Sequence, residues 1–364
     1  MVNSPCLIDN NVMAVKARHE AVDRYVHFFL RTVDFSRTVR STTVPSLRKG
    51  DIESLALPLA PRAEQQRIAD KLDTVLASVD ACGDRLARAA PLLKRFRQSV
   101  LASATAGRLT EDWRAANGVE IDHHIAWAKR TLGTIAIDLR YGTAKKCDYQ
   151  QNGIGVLRIP NIAEGGRISV KDLKRAEFTP AELHSLSLAE GDLLIIRSNG
   201  SVDLVGRTSV VTAAEVGLLF AGYLIRLRID FSGAVPQFVY LSLCAPALRT
   251  LIESTAKSTS GVNNINSEEL RRLPLMLPSL AEQTEMVRRV ETLFAFADRL
   301  EARLAQARTA VDRLTPSLLA KAFRGELVPQ DPADEPAAEL LKRMSASRTA
   351  EAPRTRRGRQ GQPA

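Results

Sequence analysis

Apolar residues recur at Ile68, Leu72, Val75, Val79, Cys82, Leu86, Ala89, Leu93, Phe96 and Val100, at intervals that alternate strictly between four and three. The same spacing returns 218 residues later at Met286, Val290, Leu293, Ala297, Leu300, Leu304, Ala307, Val311, Leu314 and Leu318. Alternating steps of four and three average 3.5 residues, so each stretch carries one narrow apolar stripe along a helix, the pattern of a coiled-coil seam. Charged residues flank both stripes. A helix of about 40 residues is ~60 Å long, and isolated helices this narrowly striped would leave their seams wet. The pattern therefore predicts two long helices that cover each other.

The repeat extends beyond the seam. Residues 57–110 align with 275–328 without a gap, and 19 of 54 positions are identical, including the triplets Ala63-Glu64-Gln65 and Ala281-Glu282-Gln283. A proline-containing stretch introduces each helix, and Gly107 and Gly325 mark the ends, as a left-handed glycine often does. Pro91 and Pro316 are expected to bend or break the helices that contain them.

Between the helices the period changes. Strand-like runs at 154–160, 192–198, 206–211 and 223–229 alternate with Gly- and Asn-rich turns, and a helical stretch follows at 236–254. The fold class is α+β: one globular mixed α/β domain plus the two long helices. The first 56 residues repeat the end of that domain, with 7–18 over 220–231, 21–40 over 234–253 and 44–55 over 262–273. The predicted organisation is a partial domain at 1–56, a helical segment at 57–119, a complete domain at 120–272 and a second helical segment at 273–328. A short helical segment at 329–345 and a disordered basic tail at 346–364 follow. Counterparts of 127 to about 215 are expected to be missing from the first copy, which would leave an unpaired strand edge there.

The net charge is +10, which favours an anionic partner, with nucleic acid first. The excess is not where recognition is expected, because residues 120–270 carry 16 basic and 16 acidic groups. No apolar run approaches the ~20 residues of a membrane span, and the N-terminus lacks the layout of a secretory signal. The four cysteines have no metal or disulfide spacing, so the cytoplasm is the expected compartment. His123, His124 and His184 lack metal or catalytic spacing. No GxGxxG, Walker lysine loop, HExxH or Asn-Pro-Pro-aromatic motif is present. Asp172-Leu173-Lys174 resembles part of a nuclease site only as such triplets do by chance.

The pieces WAKRTLGTIAIDLRYGTAKKC (127–147), GVLRIPNI (155–162), GDLLIIRSNGS (191–201), LVGRTSVV (204–211) and FAGYLIRLR (220–228) resemble a known family. TSGVNNINSEELRRLPLMLPSLAEQ (259–283) and LLAKAFRGELVPQDPADEPA (318–337) extend the match. In this order, with the duplicated AEQ helix, they resemble the DNA-specificity subunit of type I restriction–modification systems. The resemblance implies a non-catalytic, DNA-binding protein whose target-recognition domains each read half of a bipartite DNA sequence. It implies that the two long helices pack as an antiparallel coiled coil that separates those domains. Type I methylation subunits, which bind S-adenosylmethionine, would dock on it, and restriction subunits would add ATP-driven translocation and cleavage. The chain itself would hold no cofactor and no metal. A family member carries two complete recognition domains, whereas the first is incomplete here. A truncated product, a half-subunit completed by a second specificity chain, and a wrongly assigned start codon all fit that departure. The alternative reading is a coiled-coil scaffold or orphan fragment that assembles with partner chains without touching DNA, which leaves the 127–270 domain unexplained.

Discrimination needs side chains at base edges, while phosphate contacts fix register. The stretch 139–158 carries Arg140, Lys145, Lys146 and Arg158 against one acid. There Tyr141, Gly142 and Thr143 offer an aromatic face, a close backbone approach and a hydroxyl. Lys145 and Lys146 suit phosphates. The second candidate is Arg197-Ser198-Asn199-Gly200-Ser201, a polar turn delivered by the buried run Leu193–Ile196, in which Arg197 suits a guanine edge and Asn199 an adenine edge. Asn-Gly is also an ordinary turn. Asn161 and Arg207 complete the candidate set.

Overall fold

The computed structural model describes residues 12–17, 22–37, 47–119, 127–163, 165–256 and 261–351. Its helices are α1 (Asp23–Leu30), α2 (Lys49–Glu53), α3 (Arg62–Thr105), α4 (Glu111–Ala116), α5 (Leu132–Ile135), α6 (Pro180–Leu186), α7 (Pro236–Cys244), α8 (Pro246–Ala256), α9 (Ser267–Arg271), α10 (Leu280–Phe323) and α11 (Ala337–Glu351). The strands are β1 (Ala128–Thr131), β2 (Ala136–Tyr141), β3 (Ile154–Leu157), β4 (Lys174–Ala176), β5 (Leu193–Ile196), β6 (Ser198–Asn199), β7 (Thr208–Val210), β8 (Leu219–Phe220), β9 (Leu224–Ile229), β10 (Asn263–Asn264) and β11 (Pro274–Leu277). The chain divides into two compact units, residues 1–90 with 302–364 and residues 91–301. His123 and His124 and parts of the expected first domain (residues 1–11, 18–21 and 38–46) lie outside the described residues, as does 352–364 of the expected tail. Helix α11 covers residues 346–351 of that tail. No helix among the described residues is long and apolar enough to cross a membrane.

The two long helices form because good helix formers fill them and an apolar stripe gives each a face to bury. Both run 44 residues with their prolines inside, so neither Pro91 nor Pro316 breaks its helix. A proline removes one backbone donor, and the rest of the ladder and the seam carry the helix through it. Each helix stops at a left-handed glycine, Gly107 (φ 73°) and Gly325 (φ 76°), where a side chain would be strained.

In the first unit, Ile68, Ala69, Leu72 and Leu76 of α3 pack with Leu319 and Ala322 of α10 and with Tyr25 and Phe28 of α1. The Tyr25 and Phe323 ring centroids are 5.1 Å apart. Further along, a side chain at Gly83 would touch Val311. Residue numbers thus rise on one helix as they fall on the other, and the pair is antiparallel. Leu86, Leu304, Val311 and Leu318 are half-buried, whereas the seam positions Cys82 and Leu314 are exposed. Two helices alone can cover only a narrow strip of each other, so a seam residue at its margin stays wet.

In the second unit, Arg97 of α3 pairs with Asp298 (2.6 Å) and Glu301 (3.2 Å) of α10 and lies 5.1 Å from the Phe294 ring centroid. An antiparallel four-stranded sheet of order β2-β9-β5-β7 forms the centre, with a smaller sheet of order β4-β3-β8 beside it. Strand β5 is buried at every position, as its unbroken Leu-Leu-Ile-Ile run requires. Its Leu193 and Ile195 join a core with Val100, Leu101, Met286 and Val290, and Leu194 and Ile196 join a second core with Leu157 and Phe220. The helical stretch expected at 236–254 is two helices. Pro246 forces Ala245 into an extended conformation (ψ 144°), which ends α7.

The internal repeat is structural as well as sequential. Gln65 donates to Ala60 C=O (2.9 Å) and accepts from Val22 N–H (3.0 Å), tying the start of α3 to the start of α1. Gln283 donates to Pro278 C=O (2.9 Å) and accepts from Val235 N–H (2.8 Å), tying the start of α10 to the start of α7. These partners sit at corresponding positions in the two aligned copies.

Candidate nucleic-acid interface

The second unit contains an open cleft of about 1060 Å³. Strand β2 delivers Tyr141 to it, and the chain then turns through Gly142 and Thr143 against the backbone that joins β8 to β9. Thr143 N–H donates to Phe220 C=O (2.8 Å), and Gly222 N–H donates to Thr143 C=O (2.8 Å). A side chain on Gly142 would lie 2.2 Å from the Phe220 carbonyl oxygen. The close approach expected of Gly142 is thus made to the protein's own backbone.

The buried strand β5 ends by presenting Arg197 at the opposite wall. Arg197 N–H donates to Tyr223 C=O, and Ile265 N–H donates to Arg197 C=O, both at 2.9 Å. Pairing of β6 with β10 sets Ser198 opposite Asn264. The Arg197 guanidinium lies over the Tyr141 ring, 4.5 Å from its centroid, and its Nε donates to Asn264 Oδ1 at 3.2 Å. The Tyr141 hydroxyl is itself fixed, accepting from Ser267 N–H (2.9 Å) and donating to Ser267 Oγ (3.2 Å). The terminal amino groups of Arg197 have no partner among the described residues. A planar fork already clamped on one edge and one face has little freedom left to lose on binding.

The remaining candidates divide by their surroundings. Lys145 donates to Glu177 C=O (2.6 Å), lies 3.6 Å from Glu182 and 4.9 Å from the Phe178 ring, so its charge is already engaged. Hydrogen bonds from Thr179, then the Lys145 charge, hold the Glu182 carboxyl below its usual range. Lys146 is exposed and has no ion pair among the described residues. Arg140 reaches Asp138 at 3.4 Å. Burial would raise the Asp138 pKa, but the buried Arg226 and then Arg140 outweigh it and hold the carboxyl below its usual range. Arg158 is spent on Tyr149 (3.0 Å) and the Asp172 carbonyl (3.3 Å). Asn199 accepts from Ser201 N–H (2.9 Å), closing a local turn at the exposed Gly200. Arg207 leads into β7 and does not line the cleft.

Asn161 corrects the sequence reading. It is 1% exposed, its Oδ1 accepts from Arg158 N–H (2.7 Å), and its Nδ2 donates to Ser169 C=O (2.8 Å) and Asp172 C=O (3.1 Å). With its amide fully used inside the fold, it has nothing to offer a base edge.

Residues 2–86 and 125–307 match the family of the type I restriction modification DNA specificity domain. The chain belongs to that family. It is 36% identical over 316 residues to the specificity subunit of the type I restriction enzyme EcoKI from Escherichia coli K12, covering 84% of this chain and 67% of that protein. It is 34% identical over 336 residues to the StySPI specificity subunit from Salmonella potsdam, covering 89% and 71%. The fold matches the HsdS subunit from Thermoanaerobacter tengcongensis with a TM-score of 0.50 at 19% identity, covering 84% of this chain and 71% of that one. A chain from a study of assembly and conformational transition in a type I restriction–modification system matches with a TM-score of 0.56, also at 19% identity, covering 84% and 72%.

Within this specificity domain the structure adds lining residues that the sequence reading did not single out. Tyr223 is 64% exposed at the cleft, and Val262 and Asn264 stand on the far side. Tyr223 had a legible signal, since it directly precedes a strand buried at nearly every position. Asn264 had none, because Asn263-Asn264 reads as a turn until β10 pairs with β6.

Proposed function

We propose that this chain is a non-catalytic specificity subunit that reads DNA sequence through the cleft of its second unit. It would direct type I methylation and restriction subunits in the cytoplasm. The observation that carries the reading is the convergence of Tyr141–Lys145 and Arg197–Ser198, distant in sequence, on one open cleft with Arg197 held ready. The Arg197 terminal amino groups match the paired acceptors on the major-groove edge of guanine. Lys146 supplies an unengaged charge for phosphate, and Tyr223 a flat exposed ring. S-adenosylmethionine and ATP would be bound by the methylation and restriction subunits only, and a second specificity chain could complete a bipartite site.

Selection from randomised duplexes, run with the chain alone and with methylation subunits added, tests this. Arg197→Ala should erase the preference at one base position, a loss of about 10- to 100-fold there. Lys146→Ala should weaken binding to all duplexes alike and reduce the salt slope by ~0.9. Identical losses on selected and random duplexes for both variants would contradict the division of roles. Absence of salt-sensitive DNA affinity in every assembly would leave only a scaffold.

A further inference from the structure

One strand edge is occupied in the second copy of the repeat and, among the described residues, has no partner in the first. In the second copy β1 lies antiparallel on β11, with Arg130 opposite Leu275 and Lys129 opposite Met276. Leu132 N–H donates to Leu273 C=O at 2.9 Å. Trp127, just before β1, donates its indole N–H to Glu282 at 3.2 Å. Beneath β1, Leu275 and Leu277 are 2% and 8% exposed.

Subtracting 218 maps β11 onto residues 56–59 and Glu282 onto Glu64. Residues 56–59 keep the alternation of outward and inward positions, but no strand among the described residues pairs with them, and Leu57 and Leu59 are only half-buried. In an antiparallel ladder the N–H and C=O of a residue face the same neighbour, and successive residues alternate. Since Leu273 C=O faces β1, residues 275 and 277 face it too, and in the first copy Leu57 and Leu59 face the free edge. Their backbone groups have no partner among the described residues. Pro58 points the other way, its carbonyl accepting from the Tyr25 hydroxyl at 2.7 Å, so its missing N–H costs the edge nothing. Glu64 is 5% exposed, yet its carboxylate accepts no hydrogen bond from any described residue.

We propose that Leu57–Leu59 and Glu64 form a docking site for a strand that opens on a tryptophan. The strand adds to the edge, as peptides do in β-augmentation, and the indole N–H goes to Glu64. Docking completes the burial of Leu57 and Leu59 and gives a buried carboxylate the donor it lacks. The inference rests on the internal repeat and not on the DNA reading, so its failure leaves that reading untouched.

The test uses the full chain and an end-blocked fluorescent peptide with the sequence of residues 127–133, WAKRTLG. Saturable binding is expected, weakened about tenfold or more by Glu64→Gln, the loss typical of a hydrogen bond to a charged group. Replacing the peptide's Trp by Phe should cost the same, and the two changes together no more than either alone. A photo-crosslinker in place of Leu59 should capture the peptide. Should Glu64→Gln disturb folding, the Phe peptide against the unaltered chain still reads the same contact. No saturable binding, or binding indifferent to both changes, overturns the proposal.

Discussion

Glu64 and Glu282 occupy the same place in two copies of one element, and both are almost fully buried, but their surroundings differ. Glu282 accepts from Thr110 Oγ1 (2.7 Å), the Trp127 indole and Arg114, whose guanidinium also donates to Gly107 C=O at 2.6 Å. Among the described residues Glu64 has none of these. One residue along, Gln65 and Gln283 make matching bonds. The glutamine therefore serves a requirement internal to each copy, the joining of a long helix to a short one. The glutamate serves a contact with a neighbouring segment, and among the described residues only the second copy has that segment in place. Equal burial does not mean equal energetic role, since the partner decides whether a carboxylate is held or merely enclosed.

Substitution separates the two glutamates. Glu282→Gln should cost ~3–5 kcal/mol, because it leaves the Arg114 guanidinium buried without its counter-charge. Urea unfolding followed by tryptophan fluorescence reads this directly, since Trp113 and Trp127 both belong to the second unit. Gln65→Ala and Gln283→Ala should each cost ~1–3 kcal/mol, the loss on stranding a buried backbone donor. Near-equal losses of amide protection in α1 and α7 would show the shared role, and a clear inequality would deny it. Glu64→Gln should change stability by less than ~1 kcal/mol, because no ion pair among the described residues is lost. A cost as large as that of Glu282→Gln would mean the two sites are alike after all.

The smallest effect is with acid. The Asp138 carboxyl is held below its usual range in the folded state, so its stabilising contribution is present above the ordinary carboxylate pKa. It is lost as pH falls through the lowered folded value. Asp70 in the first unit is also lowered, by Gln66 and Arg24, but it is exposed and screened. Acid below the ordinary carboxylate pKa should therefore reduce urea resistance of the second unit more than that of the first, and Asp138→Asn should narrow the difference.

Much of the architecture was written in periodicity. Steps of four and three between Ile68 and Val100 fit a helix with a narrow seam, and the short run Leu193–Ile196, bounded by Gly191 and Asn199-Gly200, fits a strand buried on both faces. The two cleft segments were legible one at a time, from Tyr141 and from Arg197, because each follows a strand. Their meeting was not, since it depends on β6 pairing with β10 and on Asn264 reaching Arg197 across 67 positions. Asn161 misled for the reverse reason. A polar side chain after a strand looks like a surface group, and only the folded loop shows its amide spent on Arg158, Ser169 and Asp172.

An isolated helix frays from its tips, but α3 and α10 are fastened at theirs. In α3 the buried apolar residues lie at Ile68–Val79 and Val100–Ala104, and in α10 at Met286–Ala297 and Leu319–Ala322, with none among the turns between. Opening those central turns exposes little apolar surface that water does not already reach. Deuterium should therefore enter both rods first at mid-length and last near their extremities, inverting the order familiar from free peptides.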